Sequence, residues 1–258
     1  MFPSRRIATM GGDKFKDEYS LEFDGINDYV DFGDSADYHH DNGSASLFSV
    51  SIWVKITSST NGDDTFISKY DYGANKREWR ISVDASQNIK FASSSNGTDA
   101  LTATSSNALD NNRWYHIVLA YNGVFPKAIN RPAIYLDSVK QSLSFSGTQP
   151  AQINEDDAPL TVGCMLNSGN AASTPPANVS EATFYNAALS ASQVKTLYNG
   201  REPYNHKEGV ASSNLTAWWR MGDGLENAAG TTIYDASSNT NNGTVTNMAA
   251  NVFIGDTP

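Results

Sequence analysis

Hydrophobic and polar positions alternate with period two along most of this chain, the pattern of half-buried strands. Phe48, Val50, Ile52, Val54 and Ile56 line one face of a strand whose other face carries Ser49, Ser51, Trp53 and Lys55. From Glu78 to Asp84, Trp79, Ile81 and Val83 share a face. Between Arg113 and Ala120 both faces are largely apolar. Trp114, His116, Val118 and Ala120 form one face, and Tyr115, Ile117, Leu119 and Tyr121 the other, which predicts a central strand covered on both sides. Shorter strand patterns occur at 65–69, 89–92, 101–104, 133–136, 140–145, 160–164, 179–185, 215–221, 231–235 and 243–246. The polar runs 93–99 and 167–178 read as loops.

Two local signals sharpen this picture. Near the start, Tyr19, Leu21 and Phe23 alternate with Ser20 and Glu22. Asp24-Gly25 then supplies a tight turn before Val30 and Phe32. Near residue 190, Ser190-Ala191-Ser192-Gln193 fits a capping box, with Leu189 and Val194 able to staple across that end. Val194, Leu197 and Tyr198 give one apolar face, and Gly200 marks a stop. The expectation is an all-β, two-sheet antiparallel sandwich of jelly-roll type with one short helix near 190–199.

With 258 residues, 39% hydrophobic, the chain is large enough for one sizeable core. No apolar run approaches the length of a membrane span, so no membrane insertion is expected. Residues 1–10 lack the apolar centre of a secretory signal. A lone Cys164 excludes an internal disulfide. The net charge of −10 argues against nucleic-acid partners. Within this acidic chain, Arg5, Arg6, Lys14 and Lys16 cluster in residues 1–18, read as an arm: a disordered terminus, or a tether that grips an acidic neighbour. Residues 201–213, polar and with Pro203, read as a linker. Sequons at Asn42, Asn96, Asn178, Asn214 and Asn242 are read as chance matches in an Asn- and Ser-rich chain.

The succession of segments resembles the laminin-G-like, concanavalin A-like lectin/glucanase jelly roll. The resemblance rests on Ser20–Gly25 with Asp28-Tyr29-Val30, Phe48–Lys55, Ile67–Lys69, Arg113–Val118 ending in Tyr121-Asn122-Gly123, Ile134–Asp137, Leu160–Gly163, and Ala182–Ser190. It covers residues 19–200 and implies two antiparallel sheets packed face to face. There are departures: Ser180-Glu181 stands where such domains usually have Ile-Asp, and Asp137-Ser138 where they often have Asp-Gly. The C-terminal stretch Leu215–Gly224, with Thr231–Asn239 and Asn242–Thr244, looks like what normally precedes the Phe-Asp-Gly motif in this family. Residues 214–258 are therefore expected to complete the same sandwich in permuted order, or to pair with a neighbouring subunit. This style of ending resembles structural proteins of tailed bacteriophages.

Candidate chemistry is sparse. Glu22-Phe23-Asp24 is the nearest approach to a glucanase carboxylate row, and no third carboxylate follows at Asn27. No nucleophile elbow, phosphate loop or Cys/His metal cluster is present. Asp24, Asn27 and Asp28 share a turn and could, with Glu181, supply oxygens to calcium; alternatively they hydrogen-bond the turn backbone. His39-His40-Asp41 is read as a polar loop rather than a metal site, and His116 as a packed histidine. Tyr70, Tyr72 and Trp79 beside polar residues form a possible glycan surface. The reading placed first is a non-catalytic virion surface protein: a capsid decoration, fibre or tail appendage, made in the host cytoplasm. Its partners would be other virion proteins or copies of itself through the arm, and host-surface glycans. A carbohydrate-binding lectin module comes second and a glycan-active hydrolase third.

Overall fold

The computed structural model describes residues 15–40, 45–58, 62–124, 132–147, 149–223 and 230–258. The strands in chain order are β1 (Ser20–Asp24), β2 (Tyr29–Asp31), β3 (Leu47–Ile56), β4 (Asp64–Asp71), β5 (Lys76–Val83), β6 (Asn88–Gly97), β7 (Leu101–Ala108) and β8 (Tyr115–Asn122). They continue with β9 (Pro132–Leu136), β10 (Val139–Lys140), β11 (Leu143–Ser146), β12 (Leu160–Val162), β13 (Met165–Asn167), β14 (Asn170–Ala172) and β15 (Pro176–Tyr185). After helix α1 (Ala191–Tyr198) come β16 (Leu215–Trp219), β17 (Thr232–Ile233), β18 (Gly243–Thr246) and β19 (Phe253–Ile254). Arg5, Arg6, Lys14, Asp41 and the Asn42 sequon lie outside the described residues.

The strands form two antiparallel sheets, as the alternation predicts. The first runs β10-β9-β8-β3-β15-β1-β19 with β16 also on β15. The second runs β11-β7-β6-β5-β4-β12-β2-β18-β17 with the β13–β14 hairpin on β4. Their facing surfaces bury one core. Phe48 stacks on Phe184 at 5.6 Å and on Tyr121 at 5.7 Å, and Phe32 meets Trp219 at 4.0 Å. Gly163 has φ +92°, and a Cβ there would come within 2.3 Å of the Phe23 ring, so the close approach of these strands needs glycine.

The first sheet is apolar on its outer face too. Val118, Ala120, Tyr135 and Tyr185 pack under α1 through Leu189, Val194 and Leu197. The helix starts with the anticipated Ser190–Gln193 capping box and ends at Asn199 in the left-handed conformation, φ 49°. Residues 201–213, read as a linker, lie on this same face: Tyr204 and Ala211 pack against it, and His206 is buried with Nδ1 2.5 Å from the Tyr185 hydroxyl.

Two polar runs read as loops are ordered strands. β6 continues through Ser93–Gly97, because Ser93 donates to Gln149 and the Ser94 carbonyl accepts from Asn154 N–H. In the second run, β14 pairs back on β13, which ends at Asn167, in a hairpin whose Ser168 and Gly169 N–H groups donate to Asp71 at 2.7 and 2.8 Å. The Asn178 side chain is buried inside β15, which closes that sequon to modification. No helix among the described residues is long and apolar enough to cross a membrane.

Candidate functional site

The residues anticipated for calcium do not converge. Asp24 Oδ1 accepts the Ile26 N–H at 2.8 Å, and Asp28 Oδ2 accepts the Asp24 N–H at 3.1 Å. Burial raises the Asp28 carboxyl, the Asp24 charge adding to the shift. Both carboxylates are thus used by the turn, which places Gly25 at φ +79°. Asn27 is exposed, and its carbonyl accepts from Asn247. Glu181 lies elsewhere: Asp24 pairs with Pro176, and Glu181 is a further five residues along β15, roughly 16 Å at strand rise. Among the described residues no group of three or more His, Cys, Asp and Glu side chains is arranged to hold a metal ion. The donor set does not fit the ion.

The anticipated glycan surface is also dispersed. Trp79 is fully buried and points into the core, 5.3 Å from Phe48 and 6.1 Å from Phe184. Tyr70 is buried beneath Arg80. Tyr72 is exposed, but the Arg77 guanidinium covers its ring at 4.0 Å. Lys69 is likewise turned inward. Its ammonium lies 2.6 Å from Asp34 and 3.3 Å from Glu78, whose carboxyl burial lifts to about 8. Glu78 in turn sits 3.3 Å from His40, and His39 bridges Asp34 and Glu155, so the loop histidines belong to a structural charge cluster.

The best-formed site lies where β16 meets β15. The two strands pair from Ala182↔Trp219 to Tyr185↔Leu215. Just before this, the register of β15 shifts between Ser180 and Thr183, and Glu181 adopts φ 49°. Such a bulge re-aims the side chain it carries. Glu181, fully buried, accepts from the Trp218 indole N–H and, at 3.0 Å, from Arg220 Nε. The other Arg220 nitrogens donate to the carbonyls of Asp223 and Lys16. The guanidinium stands 4.4 Å from the Phe15 ring centre, and Phe15 packs on Trp218 at 5.7 Å. Asp223 holds the incoming chain by accepting the N–H groups of Glu18 and Tyr19, both at 2.8 Å.

Three carboxyls meet here. Burial, together with the Glu181 and Asp223 charges, raises Asp17 far above the usual range. Burial also raises Glu181, against the pull of Arg220. Arg220, bound to Glu181, opposes the rise there, and no cation is among the causes acting on Asp17. Below Trp218, burial holds His206 neutral, its pKa lowered to about 3.

Over this base opens a cavity of about 580 Å³, walled by Phe15, Trp218 and Tyr234 and edged by Arg220, Asp223 and Lys207. That volume suits a small ligand or a few sugar rings. Asp235, which also lines it, is fully engaged: Oδ1 accepts the N–H of Trp218 and Ser237, and Oδ2 accepts from Ser237 Oγ and Asn241 N–H. Sequence reasoning missed this site. The legible signal was Glu181, an acid inside an apolar strand, which requires a buried cation such as Arg220 after the paired tryptophans.

A laminin-G-type model described as the concanavalin A-like lectin/glucanases superfamily matches residues 24–195. Among solved structures, a presumed carbohydrate-binding protein from Bacteroides ovatus superposes with a TM-score of 0.63 at 16% identity, over 91% of this chain and 60% of that one. A heptameric SAP-like pentraxin from Limulus polyphemus gives 0.51 at 13% identity, over 70% of this chain and 82% of the other. Trypanosoma rangeli sialidase in complex with sialic acid gives 0.50 at 16% identity, over 70% of this chain and 28% of that chain. At these identities the likeness is one of fold. No curated protein sequence gives a match. Phe15, Lys207, Trp218, Arg220 and Tyr234 all lie outside the matched residues.

Proposed function

The chain belongs to the concanavalin A-like lectin/glucanases superfamily, and from that premise we propose that it is a non-catalytic carbohydrate-recognition module whose ligand lies in the cavity lined by Tyr234 and by Phe15, which packs on the buried Trp218. The observation that carries this reading is the cavity itself: an aromatic wall beside hydrogen-bonding groups whose positions are already fixed. Sugar rings stack their C–H faces on aromatic planes while their hydroxyls take polar partners. Glycoside hydrolysis asks for two carboxyls facing the substrate, one acidic and one basic. Here Glu181 is sealed beneath Trp218 and Arg220, and Asp235 is consumed by four donors. That favours binding over hydrolysis.

The setting we infer is the surface of a tailed-phage virion, where such a module would attach the particle to host glycans. Its support is the resemblance of the Leu215–Gly224 ending to virion structural proteins, and the basic arm, whose root at Phe15–Tyr19 is tied to the cavity by Arg220 and Asp223. Two experiments test the pair of statements. A glycan array should show binding by the full chain that Tyr234→Ala weakens; an array dark for the wild type refutes the lectin reading. Mass spectrometry of purified particles should find the protein, and its absence from them would sink the virion setting alone.

A further inference from the structure

Next to the aromatic cavity lies a second hollow of about 480 Å³, lined by Lys207, Ser212, Ser213, Leu215, Ser237 and Ser238. Lys207 and Ser237 line both. The two hollows are therefore halves of one groove, aromatic at one end and hydroxyl-rich at the other, with Lys207 between them. We propose that the ligand is an acidic oligosaccharide: a neutral ring stacks in the aromatic half, and an anionic group, carboxylate or sulfate, sits in the serine half against Lys207. This rests on the glycan reading above and names the class of glycan.

The charges of the groove support that polarity. Arg220 spends its nitrogens on Glu181 and on the Asp223 and Lys16 carbonyls. It orders the wall and has little left for a ligand. Lys207 is exposed and has no carboxylate within ion-pair distance among the described residues. It is the cation available to a ligand. Both carboxylates of the groove, Asp223 and Asp235, line the aromatic half, and the serine half has none. An anion in the aromatic half would meet Asp223 and Asp235. In the serine half it meets an ammonium and the exposed hydroxyls of Ser212, Ser213 and Ser238, which donate to carboxylate or sulfate oxygens. The overall charge of −10 does not reverse this, since at physiological ionic strength charges beyond about 8 Å are largely screened.

Calorimetry on the full chain tests this with three tetrasaccharides of equal length: a neutral galactose oligomer, its singly sulfated counterpart, and one carrying a single uronic acid. The expected result is about two- to fivefold tighter binding of one or both acidic ligands than of the neutral one. Which acid is preferred separates sulfate from carboxylate as the source. Lys207→Gln should lose that preference, Lys207→Arg should keep it, and added salt should reduce it. Equal binding of neutral and acidic ligands, or a Lys207→Gln protein that keeps the acid preference, overturns the inference while leaving the glycan reading standing. No binding of any of the three, by a protein that is also dark on a broad glycan array, removes both.

Discussion

Arg220 Nε lies 3.0 Å from Glu181 Oε1, and this ion pair ties the strand of paired tryptophans to a bulge in the strand beside it. Glu181 is fully buried and the Arg220 side chain is 15% exposed. The pair therefore bears on stability and on the shape of the cavity at once. Removing one member of a buried pair typically costs about 3–5 kcal/mol, because the other charge is left uncompensated. Arg220→Ala should lose about 3 kcal/mol in urea denaturation, with Phe15 and the chain at Lys16 also released. Glu181→Gln should cost less, because the amide oxygen can still accept from Trp218 and Arg220. An Arg220→Ala midpoint equal to that of the wild type would contradict this account.

Stability should depend on pH from both sides. Burial holds His116 and His206 neutral, each lowered from 6.5 to about 3. The unfolded chain protonates these histidines below about 6.5, so their contribution is complete above that pH and drains away as pH falls toward 3. Glu78 acts in the opposite direction. Its carboxyl is raised from 4.5 to about 8, so the folded state keeps a proton that the unfolded chain gives up. That contribution is complete below 4.5 and is lost as pH rises through 8. Asp17 and Glu181, also raised by burial, act in the same direction as Glu78. Thermal unfolding should therefore give its highest midpoint between about pH 4 and pH 6.5 and fall on the alkaline side, with Glu78→Gln making that fall shallower. A midpoint constant from pH 4 to pH 9 would show that these groups are not buried as described.

Metal removal should do nothing. Asp24 and Asp28 hold turn N–H groups, and Glu181 is committed to Trp218 and Arg220. A protein stabilised by bound calcium melts lower in EDTA. Here EDTA and added calcium should leave the melting curve where it is. Asp24→Ala should still cost about 1 kcal/mol, from the lost hydrogen bond to Ile26. A clear drop in EDTA would return the ion to this turn.

These outcomes mark what could be read from the sequence. The strands with strict alternation were legible, and so was α1, because a capping box is written in adjacent residues. Trp53 was correctly placed opposite the aliphatic row; it is buried on the other face of the sheet, against His116 and Tyr198. The β13–β14 hairpin was not legible, because its turn is held by Asp71, far away in the chain. Nor was the Glu181–Arg220 pair, which joins residues 39 apart through a bulge that periodicity does not reveal. Trp79 was legible as core from its shared face with Ile81 and Val83, and its burial is what takes it out of the glycan surface.

Tyr72 and Tyr234 separate the sequence-based glycan surface from the structural one. Tyr72 is exposed, but its ring face is covered by Arg77 at 4.0 Å, and its intended companions Tyr70 and Trp79 are buried. A sugar docking there would first have to displace the guanidinium and would find no second ring. Tyr234 instead lines an open cavity that Phe15 also lines. Loss of one stacking ring typically weakens binding by about tenfold. Titration of a glycan found by array should therefore show Tyr234→Ala weakened by about that factor and Tyr72→Ala equal to the wild type. Circular dichroism should confirm that both variants are folded, as neither ring belongs to the main core. The reverse pattern, with Tyr72→Ala impaired and Tyr234→Ala intact, would move the site to the β4–β5 turn and away from the tryptophan strand.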